Sequence, residues 1–195
     1  MKKLVFLTIT CFLLSIPNLA ICGDWTGNIN AFLGVKALDE DDWEPIEDQD
    51  EYGIKVDFKQ KDWPVSIAIE YLVSSDDDTG LWYDPVIGIV IATVEGETSE
   101  LCFGVRKIWD QSPKVRPFIG GGIAHISAEA KATTLGFSAS DDAIGIWIGG
   151  GVYWTLGEHF NIGFDVRWSK AEVSSYNIDA EAGGSHAGLL LGFHW

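Results

Sequence analysis

Positive charge is scarce in this chain. Lys and Arg number 13 against 29 Asp and Glu in 195 residues, a formal net charge of −16. A nucleic-acid binder needs a basic face to neutralise phosphates, and this composition offers none. Cysteine is scarce as well, with Cys11, Cys22 and Cys102 the only three. The first two lie in a leader-like segment, so Cys102 alone remains and no disulfide can form within the chain. Beyond that leader no run reaches 18 apolar residues, which excludes a membrane-spanning helix. A chain without such a helix still crosses a bilayer if its strands close into a barrel that satisfies every backbone group.

The leader occupies residues 1–22. Lys2 and Lys3 form a positive start, Leu4 to Ile16 is an apolar stretch, and Pro17-Asn18 breaks it before Ala20-Ile21-Cys22. This is the pattern of a secretory signal peptide rather than of a membrane anchor. Cleavage is expected after Cys22, with Ala20 as the alternative. A lipid-modified Cys22 is disfavoured by the bulky Ile21 before it. Loss of Lys2 and Lys3 takes the formal charge from −16 to −18. Residues 23–195 are then read as one domain, of a length typical for one.

What the remainder has is alternation. Ala187, Leu189, Leu191, Phe193 and Trp195 share one parity; His186, Gly188, Leu190, Gly192 and His194 share the other. Period two over ten residues is a strand. The pattern recurs with Phe160, Ile162, Phe164, Val166 and Trp168 against Asn161, Gly163, Asp165 and Arg167, and with Ile67, Ile69 and Tyr71 against Ala68, Glu70 and Leu72. Further strands centre on Ile29–Val35, Tyr52–Phe58, Leu101–Val105 and Ile144–Val152, and an eighth covers about Val115 to Ala128, where Gly120-Gly121-Gly122 blurs the phase. Connections near 60–64, 110–114 and 156–159 are short. Those near 37–51, 75–88, 129–142 and 170–185 are long and mostly acidic.

The contents of the two faces decide what kind of barrel this is. One face is almost wholly aliphatic and aromatic, with Lys107 its only clear charge, at a strand end beside Trp109. The other carries Gly, Ser and Asn together with Lys55, Asp57, Glu70, Arg106, Asp165 and Arg167. A soluble lipocalin-like barrel also alternates but does not bury six charges in its core. Trp25, Trp109, Trp154, Phe160, Trp168 and Trp195 gather at strand ends, as interfacial girdles do. The expected fold is all-β: an eight-stranded antiparallel up-and-down transmembrane β-barrel, with short turns and both termini on the periplasmic side of a Gram-negative-type outer membrane.

On Arg116-Pro117-Phe118-Ile119-Gly120-Gly121-Gly122-Ile123 and the closing Gly188-Leu189-Leu190-Leu191-Gly192-Phe193-His194-Trp195, the sequence resembles the small outer-membrane barrels grouped with the OmpA membrane domain, OmpX and the opacity-type proteins. The resemblance implies that the last strand, ending in Phe193 and Trp195, is read by the barrel-assembly machinery. The glycine that pattern places five residues from the end is Leu190 here. The peptidoglycan-binding domain that follows the OmpA barrel has no counterpart, so that activity is not implied.

Four candidate sites follow. The six inward charges read as a structural salt-bridge network, since eight strands leave an interior that side chains just fill; an ion path is the rival. The segment Asp39–Glu51 offers carboxylates for Ca²⁺ or Mg²⁺ but lacks EF-hand spacing, as does the Asp76-Asp77-Asp78 run, and both read as solvated acidic loops. His125, Ser127 and Glu129 share a strand face and loosely resemble the His-x-Ser pair of PagL-type lipid A deacylases, although Ala128 stands where that family has Asn. Cys102 reads as a small packing residue, and His159, His186 and His194 form no metal spacing. The function expected is non-enzymatic: a structural or surface-interaction role through four acidic extracellular loops, with a lipid A hydrolase or a small pore as alternatives. Outer-membrane lipid, lipopolysaccharide, divalent cations at the loops and the assembly machinery are the expected partners of a monomer without cofactor.

Overall fold

The computed structural model describes residues 24–84, 88–109, 114–132, 137–175 and 178–195. The leader and the inner part of the 109–114 turn lie outside the described residues. Eight strands close a barrel: β1 (Trp25–Ala37), β2 (Asp48–Gln60), β3 (Ser66–Asp84), β4 (Gly88–Ile108), β5 (Val115–Ala132), β6 (Phe137–Leu156), β7 (Phe160–Lys170) and β10 (Gly184–His194). Each pairs antiparallel with its neighbours in chain order, and β1 pairs with β10 to complete the ring. A one-turn helix, α1 (Glu40–Trp43), lies between β1 and β2, and a small hairpin of β8 (Glu172–Ser175) and β9 (Ile178–Glu181) lies between β7 and β10.

Closure follows from the register. Asn30 pairs with Gly192 on one side and Lys55 on the other. The seam ends with Gly27 and Trp195 exchanging backbone hydrogen bonds, each 3.1 Å, and the Thr26 hydroxyl donating to the Trp195 carbonyl at 2.7 Å. No strand edge is left in the membrane-height ring, which is the reason a barrel survives in hydrocarbon.

Outward-facing side chains form an apolar belt that includes Leu33, Ile54, Phe103, Ile123, Phe164 and Leu191, all exposed to the surroundings of the barrel. Trp25, Trp63, Trp109, Trp154 and Phe160 ring it at the short-turn end, with Trp25 stacking edge-on against Trp63 at 5.6 Å. Tyr52, Tyr71 and Trp168 stand at the other end. Lys107 turns its ammonium to the Pro64 carbonyl at 2.8 Å, at the short-turn rim.

The glycine run does not break the phase of β5. Arg116, Phe118, Ala124, Ile126 and Ala128 point inward and Ile119 and Ile123 outward, through all three glycines. The glycines make room for rings instead. A Cβ on Gly104 would stand 2.9 Å from Trp147 Cζ2, and one on Gly188 2.6 Å from Phe32 Cζ. Trp147 and Phe32 are large inward side chains, and missing side chains opposite them let the narrow lumen hold them.

The long connections expected from sequence are largely strand. β3 and β4 stay paired out to Asp84 and Gly88, and β5 and β6 out to Ala132 and Phe137. Asp76–Asp78 therefore lies within β3, not in a loop. Nor is 39–51 a free acidic loop. The α1 turn, closed by Trp43 N–H donating to the Asp39 carbonyl at 3.0 Å, folds Trp43 and Ile46 onto Leu38, Ala171, Val173 and Ala182. Residues from Asp48 belong to β2, and Gln49 and Glu51 point into the barrel. Burying Trp43 and Ile46 holds this cap in place, each contributing roughly 1.5–3 kcal/mol.

Candidate functional site

The interior is the densest concentration of chemistry in the molecule. Lys55, Asp57, Glu70, Arg106, Asp165 and Arg167 are all buried there. Glu70 is the hub: it accepts from Arg106, from Arg167 at 2.9 Å and from Lys55 at 3.4 Å. Lys55 also donates to Asp165 at 2.6 Å, and Arg106 to Asp57 at 3.0 Å and to the Tyr153 hydroxyl at 2.8 Å. Arg167 on β7 thus spans the ring to Glu70 on β3, the strand diametrically opposite. Arg116 on β5 does the same to Asn28 on β1, at 3.0 Å. Side chains that cross a full diameter leave the axis occupied, which disfavours a water-filled pore.

Five more charged or titratable groups join these six, and the sequence reading did not include them. Glu100 accepts from Lys36 at 2.9 Å, Arg167 at 2.7 Å and the Ser169 hydroxyl at 3.0 Å. His186 lies between the Glu51 carboxylate, 2.9 Å from Nδ1, and Ser169 Oγ, 3.0 Å from Nε2. His186 is therefore an interior residue. Arg116 bonds Asn161 at 2.8 Å and Thr155 at 3.1 Å, and lies 3.2 Å from His194 Nδ1. Among the described residues the buried set holds five cations (Lys36, Lys55, Arg106, Arg116, Arg167) and five carboxylates (Glu51, Asp57, Glu70, Glu100, Asp165), so the interior is balanced when His186 is neutral. Cationic groups also rest on rings: Lys55 Nζ over Phe32 at 4.4 Å and the Arg167 guanidinium over Trp147 at 5.2 Å. Cys102 is enclosed beside Arg167, whose guanidinium stands 3.2 Å from the sulfur.

The second candidate lies outside the barrel. His125 points outward near the long-hairpin end, and its Nε2 stands 3.1 Å from Asp142 Oδ2 on β6. Ser127 shares that face and is the direct cross-strand partner of Asp142. Glu129 is not the acid of this group, because it pairs with Lys131 at 2.7 Å and holds that ammonium above its usual range. The acidic runs bring no ligand set together: among the described residues no group of three or more His, Cys, Asp or Glu is placed to hold a metal ion. His159, His186 and His194 likewise form no such group, His159 Nδ1 lying 3.0 Å from the His194 carbonyl oxygen.

An apolar outer belt around an ion-paired, side-chain-filled interior defines a small outer-membrane β-barrel fold. Among solved structures, the fold is similar to Neisserial surface protein A, at 11% identity and a TM-score of 0.51 over 86% of this chain and 96% of that one. It is also similar to Ail, the attachment invasion locus protein of Yersinia pestis, crystallised with the heparin analogue sucrose octasulfate, at 12% identity and a TM-score of 0.54 over 88% and 99%. At these identities the likeness is one of fold. No family model matches the chain and no curated protein matches it in sequence.

Proposed function

We propose that this barrel is a non-enzymatic surface protein of a Gram-negative-type outer membrane, whose long-hairpin end is a polyanionic interaction surface. The observation that carries the reading is where the charge lies. Segments 39–50, 76–97, 129–142 and 170–181, all at one end, contain 20 carboxylates and only Lys131 and Lys170 as cations. Outside the leader, the sequence of the short connections and their flanks has four carboxylates (Asp24, Asp62, Asp110, Glu158) against four lysines (Lys59, Lys61, Lys107, Lys114). With the interior balanced, the whole net charge of the exported chain belongs to one end. The hairpins there face the exterior, the termini the periplasm, and the barrel acts as a monomer. Its partners are cationic surfaces, lipopolysaccharide phosphates bridged through divalent ions and, during export, the barrel-assembly machinery acting on Phe193 and Trp195. The sulfated sugar bound by Ail does not carry over, because so many carboxylates repel a polyanion. The test is titration of nanodisc-embedded protein with an oligolysine peptide. Binding should weaken steeply with salt and with Asp76, Asp77 and Asp78 changed to Asn. Equal binding of an uncharged peptide refutes the reading.

The His125–Asp142 hydrogen bond favours a second reading, an ester hydrolase acting on lipid beside the barrel. Ser127 Oγ would attack an ester carbonyl while His125 takes the hydroxyl proton and Asp142 holds the imidazole; the C–O ester bond would break, the alkoxide would leave with that proton, and water would then release the fatty acid from the acyl-serine. Mass spectra of lipid A from cells making the native chain or Ser127→Ala decide it: identical acyl patterns end this alternative.

A further inference from the structure

At the long-hairpin end, the outer wall carries a groove of about 350 Å³ between the ends of β1 and β7 and the start of β10. Ala37, Leu38 and Asp39 form one side, Trp168 and Lys170 the other, and Glu181 and Gly183–Ser185 the back. The backbone itself narrows the floor, since a Cβ on Gly183 would stand 2.3 Å from the Ser169 carbonyl oxygen and one on Gly184 2.3 Å from that of Ala37. Trp168 is the last outward aromatic of β7, 41% exposed, directly above the lipid-facing Val166 and Phe164. The groove therefore opens where the apolar belt gives way to headgroups.

Its lining selects among ligands. Lys170 is the only cation and already lies 3.2 Å from Glu181, while Asp39 adds a second carboxylate. A phosphate or sulfate would meet net negative charge. An alkyl chain would strand the polar groups on the walls. What remains complementary is an uncharged polyhydroxyl ring. Such a ring has one C–H face for an indole, and its hydroxyls donate to carboxylates and accept from an ammonium or a serine.

We propose that this groove binds a neutral hexopyranose ring, carried on a glycolipid headgroup of the leaflet it faces. The ring lies on Trp168, and its hydroxyls bond Asp39, Lys170, Glu181 and Ser185. The lipid source rests on the outer-membrane reading above; the sugar chemistry does not.

The experiment uses the folded barrel with ¹⁵N-labelled indoles in phosphocholine micelles, titrated with methyl β-D-glucopyranoside. A parallel arm uses phosphatidylcholine nanodiscs with and without monoglucosyl diacylglycerol. Trp168→Phe assigns the Trp168 resonance, and heat-modifiable gel migration checks folding of every variant. The Trp168 N–H should shift saturably while Trp25, at the opposite girdle, stays still. Asp39→Asn should weaken binding about tenfold, the factor that ~1.4 kcal/mol represents. The glycolipid should bind more tightly than the free glycoside. Equal affinity of the two overturns the lipid source. A Trp168 signal unmoved by either probe, or moving no more than Trp25, overturns the site while leaving the barrel reading intact.

Discussion

Replacing Glu70 with Gln keeps the shape of the interior hub and removes its charge. Three cations face that carboxylate, and each retains one other carboxylate: Asp165 at 2.6 Å for Lys55, Asp57 at 3.0 Å for Arg106, Glu100 at 2.7 Å for Arg167. Breaking a buried pair typically costs about 3–5 kcal/mol, because the survivor stays desolvated. Retained partners place Glu70→Gln near the lower bound, ~3 kcal/mol. With a urea slope of about 1–3 kcal/mol/M, the unfolding midpoint in detergent micelles should fall by roughly 1–3 M. Charge balance makes a sharper claim. Glu70→Gln leaves five cations against four carboxylates, and adding Arg167→Met restores equality. The double variant should therefore be more stable than the two single losses summed, by over ~1 kcal/mol. Losses that add within about 0.5 kcal/mol, or a single loss below ~1 kcal/mol, would refute the claim that these charges hold the interior together as one network.

Other expectations follow from the same geometry. Phe103→Arg, on the belt near mid-height, should destabilise the folded barrel by about 2–4 kcal/mol in lipid, read by the same urea titration. Gly104→Leu should block folding, since its side chain must enter space held by Trp147 and the Gly121 carbonyl; a folded, heat-modifiable band would contradict the packing described. The native protein in a planar bilayer should show no steady conductance, because Arg167 and Arg116 reach opposite walls. Deleting Phe193–Trp195 should lower the amount of barrel inserted in cells, measured by membrane fractionation, and should also weaken the seam at Gly27.

The two faces of each strand were legible from period two alone, since one parity holds Ile67, Ile69 and Tyr71 and the other Ala68, Glu70 and Leu72. The six charges Lys55, Asp57, Glu70, Arg106, Asp165 and Arg167 lie in stretches of that kind. Lys36, Glu51 and Glu100 were missed because strand length is set by pairing with a neighbour, which one segment does not display, and Arg116 because the glycine run blurred the phase of its strand. Glu51 shows the lost signal. It shares parity with Gly53, Lys55 and Asp57, so continuing the phase upstream of Tyr52 would have turned it inward. His186 was on the inward parity, yet its contact with Glu51 joins residues 135 positions apart. Nothing local foretold that Trp43 would leave an acidic run to cap the barrel, donating its indole N–H to the Glu181 carbonyl at 2.8 Å.

The division of charge also bears on how the chain can insert. A polyanionic hairpin end resists crossing a bilayer, because moving 20 carboxylates through hydrocarbon is costly. The short-turn end, with far fewer charges and both signs present, carries a smaller penalty. Topology would then be fixed by the hairpin carboxylates rather than by the belt, which is apolar throughout and blind to direction. Neutralising Asp76, Asp77 and Asp78 removes three of these charges while leaving the belt and interior untouched. Such a variant should still fold but should lose part of its directional bias in vesicles, seen as mixed protease protection of the hairpins. Complete protection on one side, unchanged from the native chain, would show that some other feature sets orientation.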